Sequence, residues 1–317
     1  MGETVADVGE FGLLERISEA LSAETGAVVG IGDDAAVLNI SGRVVTSVDT
    51  LIEDRHFKRD WSSATDIGHR AAAASMADIV AMGGQPSSLL VSLGLPVDCE
   101  VAWAVELMTG IAEEAAELDA SVVGGDVARS NTVMVSVTAL GSIQRDPVLR
   151  SGAEVGDTVA IAGRQGWASA GLTVLSRGFR SPRALVQAYQ RPHPPYESGP
   201  AAAVAGASAM IDVSDGLLAD AAHIARASAV LLDLDSEAVP VSDQLVETSS
   251  AFNVDPLTWV LAGGDDHSLL ATFPEGAQLP AMFTAIGRVV APGTGGPGVA
   301  VDGRMWGGQG GGHDHFK

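Results

Sequence analysis

Two α/β domains are what this chain predicts, on three observations. Helical and strand-like apolar periods alternate along it, its 317 residues suffice for two domains of ordinary size, and its core-forming residues are aliphatic. With 46% hydrophobic but only 4% aromatic residues, the interior must be built from Ala, Val, Leu and Ile, while 38 glycines supply tight turns and close backbone approaches.

The elements follow in order. Leu13, Leu14, Ile17 and Leu21 share one face at helical spacing and predict a helix over residues 11–21. Two β-like runs, 35–40 and 44–52, flank Ser41-Gly42 and predict a hairpin. A long Ala-rich helix is expected over 65–82, stopped by Gly83-Gly84 and Pro86. Next come a strand over 87–95, a helix from an Asp98 N-cap to about Leu118, and strands over 121–123 and 132–143. Asp146-Pro147 and Ser151-Gly152 punctuate the chain before a strand over 158–162, so the domains are drawn as 1–145 and 146–317. The second predicts helices at 169–176, 199–207 and 255–261, a strand-turn-helix over 210–227 and a strand over 230–234. The glycine-rich end, 307–312, reads in isolation as a flexible tail.

Composition removes several function classes. Eighteen Lys plus Arg stand against 40 Asp plus Glu, a net charge of −22 that repels nucleic acid and anionic membrane. The only lysines are Lys58 and Lys317, and neither lies in a G-x-x-x-x-G-K-[ST] loop or a V-A-I-K-like strand. If the protein handles nucleotides, metals and arginines must neutralise the phosphates. Cys99 is the single cysteine, which excludes an intrachain disulfide or a cysteine-rich metal site. The N-terminus lacks a basic and apolar leader pattern, and no run approaches the roughly 18 apolar residues of a membrane span. A cytoplasmic protein is expected.

Aspartate recurs beside glycine at element ends, in Gly32-Asp33-Asp34, Gly125-Asp126, Asp212-Val213-Ser214-Asp215-Gly216 and Gly264-Asp265-Asp266; Asp49 closes an apolar strand and Asp78 interrupts an apolar helix. Singly, such residues are turns or caps. Together they suit hard cations, because Mg²⁺ prefers a few carboxylates, water and phosphate oxygens.

The ordered series Gly30-Ile31-Gly32-Asp33-Asp34-Ala35-Ala36, Val48-Asp49-Thr50-Leu51, His56-Phe57, Met76-Ala77-Asp78-Ile79-Val80-Ala81-Met82-Gly83-Gly84, Gly124-Gly125-Asp126, Arg150-Ser151-Gly152-Ala153 and Ile211-Asp212-Val213-Ser214-Asp215-Gly216-Leu217 resembles the thiamine-monophosphate kinase family over essentially the whole chain. Some of these motifs are shared with the wider aminoimidazole ribonucleotide synthetase-like superfamily; His56-Phe57 and the terminal Asp314-His315-Phe316 point to the thiamine branch. The resemblance implies a two-domain fold of that superfamily, its N-terminal domain binding ATP and magnesium and forming a β-barrel across a homodimer. It makes Asp34, Asp49, Asp78, Asp126 and Asp212 ligands of several Mg²⁺ ions, with Ser47 and Val48 beside one of them and Asp215 holding a further ion. Gly125, Asp126, Arg150 and Ser214 would contact ATP, and His56, Asp265 and His313 the thiamine monophosphate; Asp33 reads as a turn residue.

Two departures fall on the acceptor side. In Gly263-Gly264-Asp265-Asp266-His267 the family usually has Glu and Tyr where this chain has Asp265 and His267, and near the end His313 replaces a Trp or Tyr. Weaker acceptor binding is expected, since imidazole stacks less area than indole. Trp306 is either a substitute stacking residue or a core residue, and Trp167 stands where relatives often carry Asp. The expected reaction is direct transfer of the ATP γ-phosphate to thiamine monophosphate without a general base. Two alternatives stay open at this point: another superfamily activity such as an ATP-dependent ring-closing synthetase, and a non-catalytic metal- or nucleotide-binding protein.

Overall fold

The computed structural model describes residues 2–21 and 26–307. These form two compact units, Met1–Ile79 with Gly84–Arg145, and Val80–Gly83 with Asp146–Lys317.

The first unit contains α1 (Val5–Ala20), β1 (Arg43–Ile52), α2 (Ala64–Ala81), β2 (Gln85–Leu95), α3 (Val101–Ala116), β3 (Ser121–Arg129) and β4 (Met134–Ile143). Its four strands run in the order β1-β4-β2-β3, with only β2 and β3 parallel. Helix α2 lies on this sheet, where Ser75 Oγ donates to the Val137 carbonyl at 2.8 Å. The small residues of α2 have a packing consequence. A Cβ on Gly68 would sit 2.1 Å from the Leu107 carbonyl oxygen, and one on Gly110 of α3 2.2 Å from that of Thr65, so the two helix backbones touch.

The expected hairpin of 35–40 with 44–52 does not form. β1 pairs instead with β4 over its full length, and 35–40 contributes only the isolated Val29↔Val37 bridge. β4 matches β1 in register over ten residues, while the apolar run 35–40 stays exposed or half-buried and leaves the other edge of β1 open. α1 starts earlier than its apolar stripe because Thr4 and Asp7 form a capping box, and it kinks at Gly9, where φ is 69°. Asp98 is not the cap of α3; Glu100 is. No helix among the described residues is long and apolar enough to cross a membrane.

The second unit contains β5 (Thr158–Ala162), α4 (Trp167–Ser176), α5 (Arg183–Gln190), α6 (Ser198–Val204), β6 (Ala209–Val213), α7 (Leu217–Ser228), β7 (Leu231–Leu234), α8 (Asp243–Phe252), α9 (Pro256–Ala262), β8 (Ser268–Phe273), β9 (Phe283–Val290), β10 (Gly298–Val301) and β11 (Arg304–Met305). Its seven strands run β11-β10-β7-β9-β5-β8-β6. Val159, Ile161, Ile211, Leu217, Leu232 and Ile286 belong to the aliphatic core over which the helices pack, and Trp306 packs against it from the side. Trp306 is half-buried there.

Candidate active site

In the first unit, Ser47 and Asp49 alternate inward on β1 while Val44 and Val48 stand 58% and 59% exposed on the other face. Ser47 Oγ donates to Asp78 Oδ2, tying β1 to α2. Asp49 Oδ2 is buried yet has no hydrogen-bond partner. Ser47 and Asp78 are therefore in contact, and Asp49 follows two residues along the same face of β1. Val48, whose hydrocarbon side chain points away, can offer only its backbone.

Asp126 lies elsewhere on the same sheet. One row of paired residues runs Asp49–Val137–Val91–Gly125, and the next Thr50–Ser136–Ser92–Asp126. Since β1 and β3 are the two edges, Asp49 and Asp126 stand three strand spacings apart, about 14 Å at the backbone. They cannot ligate the same ion within this unit. The sequence placed Gly125-Asp126 in a turn, whereas both lie inside β3, just after a bulge that leaves Val123 without a β2 partner. Gly125 is required there because a Cβ would meet the Val91 carbonyl oxygen at 2.0 Å.

Beside Asp126 opens a cleft of about 410 Å³, walled by Leu14 and Ile17 of α1, Val91 and Leu93 of β2, and Met108 of α3, with Asp33 and Asp126 at its polar rim. Sequence reasoning missed these wall residues, because each reads as ordinary core periodicity. Asp34 is exposed next to Asp33, whose Oδ1 accepts the Asp34 N–H at 2.9 Å. His56 sits in the turn after β1 and its Nδ1 accepts the Ile52 N–H at 2.8 Å. In the neutral ring this leaves the proton on Nε2, the nitrogen that can donate to an anion.

In the second unit, β6 ends in Asp212 and Val213, and the Ser214-Asp215-Gly216 turn leads into α7. Asp220, in the first turn of α7, accepts the N–H groups of Asp215 and Gly216 at 3.0 and 3.1 Å and pins that turn. Burial, then repulsion from Asp212 and Asp215, pushes the Asp220 carboxyl up to about 7. The loop Gly263–His267 crosses the same turn: Asp265 N donates to Ser214 O, His267 N to Val213 O, and His267 Nδ1 lies 3.2 Å from Asp212 Oδ2. Arg150 is exposed; with Arg226 it lowers the His223 pKa, an effect second to desolvation, while Asp215 opposes it, so Arg150 and Asp215 both lie near that imidazole. His313 lies outside the described residues, as does the Asp314-His315-Phe316 ending.

Asp266 is the buried carboxyl of this loop. Its Oδ1 accepts the Ala168 N–H at 2.9 Å, at the start of α4, while Oδ2 is buried without a partner, and burial raises its pKa to about 7. The folded state therefore keeps a proton that the unfolded chain releases near 3.8. Stability from this group is full below that value and is lost as pH rises through about 7, at about 1.4 kcal/mol per pH unit for one proton. Asp266→Asn should flatten that decline in urea unfolding between pH 4 and 8. Identical pH slopes in both proteins would contradict the assignment.

Among the described residues, no three His, Cys, Asp or Glu side chains are already gathered at metal-binding distance. Magnesium asks for less, since one or two carboxylates with water and phosphate oxygens suffice.

Residues 32–143 match the family described as AIR synthase related protein, N-terminal domain. The chain is 42% identical over 312 residues to a thiamine-monophosphate kinase of Mycobacterium tuberculosis, covering 97% of this chain and 92% of that one. It is similar to the crystal structure of thiamine-monophosphate kinase from Stenotrophomonas maltophilia, with a TM-score of 0.82 at 31% identity over 94% of this chain and 98% of that chain. It is also similar to AaThiL complexed with AMPPCP and TMP, with a TM-score of 0.81 at 34% identity over 97% and 98% of the two chains.

Proposed function

The chain belongs to the thiamine-monophosphate kinase family, and from that premise we propose that it catalyses the ATP-dependent phosphorylation of thiamine monophosphate to thiamine diphosphate by direct in-line transfer. The observation that carries this reading is whole-chain likeness to a relative complexed with AMPPCP, an ATP analogue, together with TMP.

The donor set fits magnesium. All the implicated side chains offer oxygen, and Asp49 Oδ2 is a buried acceptor left without a donor. Asp49, Asp78 and Ser47 would hold one ion, with Val48 offering at most its carbonyl; Asp34 and Asp126 would serve the β3 side, and Asp212 and Asp215 the second unit. When bound, magnesium neutralises phosphate charge and draws the reacting oxygens together.

The chain's own residues do the positioning. The apolar cleft beside Gly125-Asp126 suits the base of ATP, with Asp126 directing the phosphates outward. Arg150 and Ser214 would contact the phosphates from the second unit. His56 Nε2–H would donate to the acceptor phosphate, and Asp265 and His313 would hold the thiamine portion. The phosphate monoester is already anionic at neutral pH, so no residue need act as a general base. This division makes residues 1–145 the ATP, magnesium and dimerisation domain and 146–317 its α/β partner.

A homodimer with a shared barrel is part of the reading. It is supported by the exposed Val44 and Val48 on the edge strand β1 and by the apolar run 35–40, which is bridged only at Val37 among the described residues. Light scattering that found a fully active monomer at micromolar concentration would overturn it.

With ATP and Mg²⁺ the protein should convert thiamine monophosphate into thiamine diphosphate and ADP in equal amounts. Free thiamine should react poorly, because it lacks the phosphate that is both held and attacking. ADP without thiamine diphosphate, or cyclisation of a formylglycinamidine ribotide, would replace this function with that of a superfamily relative.

A further inference from the structure

We infer that His267 is a positioning residue for the Asp212 carboxylate: its Nδ1–H holds Oδ2 of Asp212 and leaves the other oxygen to face a divalent cation. The inference rests on Asp212 being a magnesium ligand, as proposed above.

Three observations carry it. Asp212 and His267 are 3% and 6% exposed, so the 3.2 Å contact between them is shielded from water. An ionised carboxylate only accepts, so the ring nitrogen facing it, Nδ1, must carry a proton. The ring is also fixed from its own backbone: His267 N donates to the Val213 carbonyl at 3.1 Å, so adjacent residues of β6 anchor both the main chain and the side chain of one residue. His267 adopts φ 51°, a left-handed conformation tolerated better by His, Asn and Asp than by most side chains.

The Asp212 carboxylate also has Asp220 as a charged neighbour. A donor on one oxygen sets which lone pairs remain for the ion, the way partners of metal ligands commonly orient them.

Two measurements test this. In ¹⁵N-labelled protein, the His267 imidazole, assigned by its loss in His267→Asn, should show a protonated Nδ1 at neutral pH. An Nε2–H tautomer overturns the inference. Calorimetric titration of Mg²⁺ in the presence of AMPPCP gives the second readout. His267→Ala should raise the half-saturating Mg²⁺ concentration about tenfold, and His267→Asn, which keeps a donor and tolerates the backbone, should recover to within about threefold. A folded His267→Ala protein with unchanged Mg²⁺ dependence overturns the positioning role. Asp212→Asn separates the two layers. If it weakens Mg²⁺ binding while His267→Ala does not, only the positioning role falls; if neither does, the ligand reading falls and the positioning role with it.

Discussion

Asp212→Asn and Asp49→Asn are each expected to lower the rate of thiamine diphosphate formation by about a hundredfold or more, about 2.7 kcal/mol of transition-state stabilisation, while leaving the fold intact. The second half of that expectation is what separates function from packing. Asp49 Oδ2 is buried without a hydrogen-bond partner, so no protein contact to that oxygen is lost when it is replaced. Replacing it with a neutral amide of the same shape should therefore hold the urea midpoint measured without magnesium. Asp212 accepts from His267, and an asparagine carbonyl oxygen can accept the same bond. Steady-state assays at limiting magnesium, paired with unfolding curves, check both substitutions. Near-normal turnover in folded variants would remove these carboxylates from the site.

Gly125→Ala is expected to destabilise the first unit by about 3 kcal/mol, at the upper end of ordinary overpacking. Its Cβ would stand 2.0 Å from the Val91 carbonyl oxygen and 3.0 Å from the Val91 carbonyl carbon. Both are backbone atoms of β2, and no rotamer change can relieve them. Relief requires β3 to separate from β2, which opens the ladder beside the bulge and moves Asp126 away from the apolar cleft. Urea unfolding followed by circular dichroism reads the loss, and the affinity for AMPPCP should fall with it. A variant as stable as the parent would mean that β3 shifts at little cost, and that the glycine serves another purpose.

Much of the secondary structure was legible because it is periodic. The Ala-rich stretch up to Gly83 reads as a helix from its small residues and its stop signal, and 158–162 reads as a strand from its continuous apolar run. Other elements were hidden for physical reasons. α8 has an N-cap serine and a left-handed Asn253 at its end, yet five of its ten residues are Thr, Ser, Asp or Glu, which blurs the apolar stripe. β8 is buried on both faces, so its run of Ser268–Phe273 lacks the alternation that marks a half-exposed strand. The hairpin expected at 35–52 failed because local turn chemistry in Ser41-Gly42 says only that a chain can reverse, not which strand pairs with β1.

The sequence by itself determined the family, the aliphatic composition of the core and the identity of the acidic residues, since each is written in residue types and spacing. Only the tertiary structure decided how those acids are grouped. Ser47 and Asp78 meet because β1 lies under α2, with Asp49 further along the same face of β1, while Asp126 is held on the far edge of the same sheet by a strand order that no linear spacing reports. The approach of His267 to Asp212 likewise depends on a left-handed loop crossing β6, 55 residues away along the chain. Contacts of that kind arise from long-range pairing, where the winning partner is set by total burial and register rather than by any local preference.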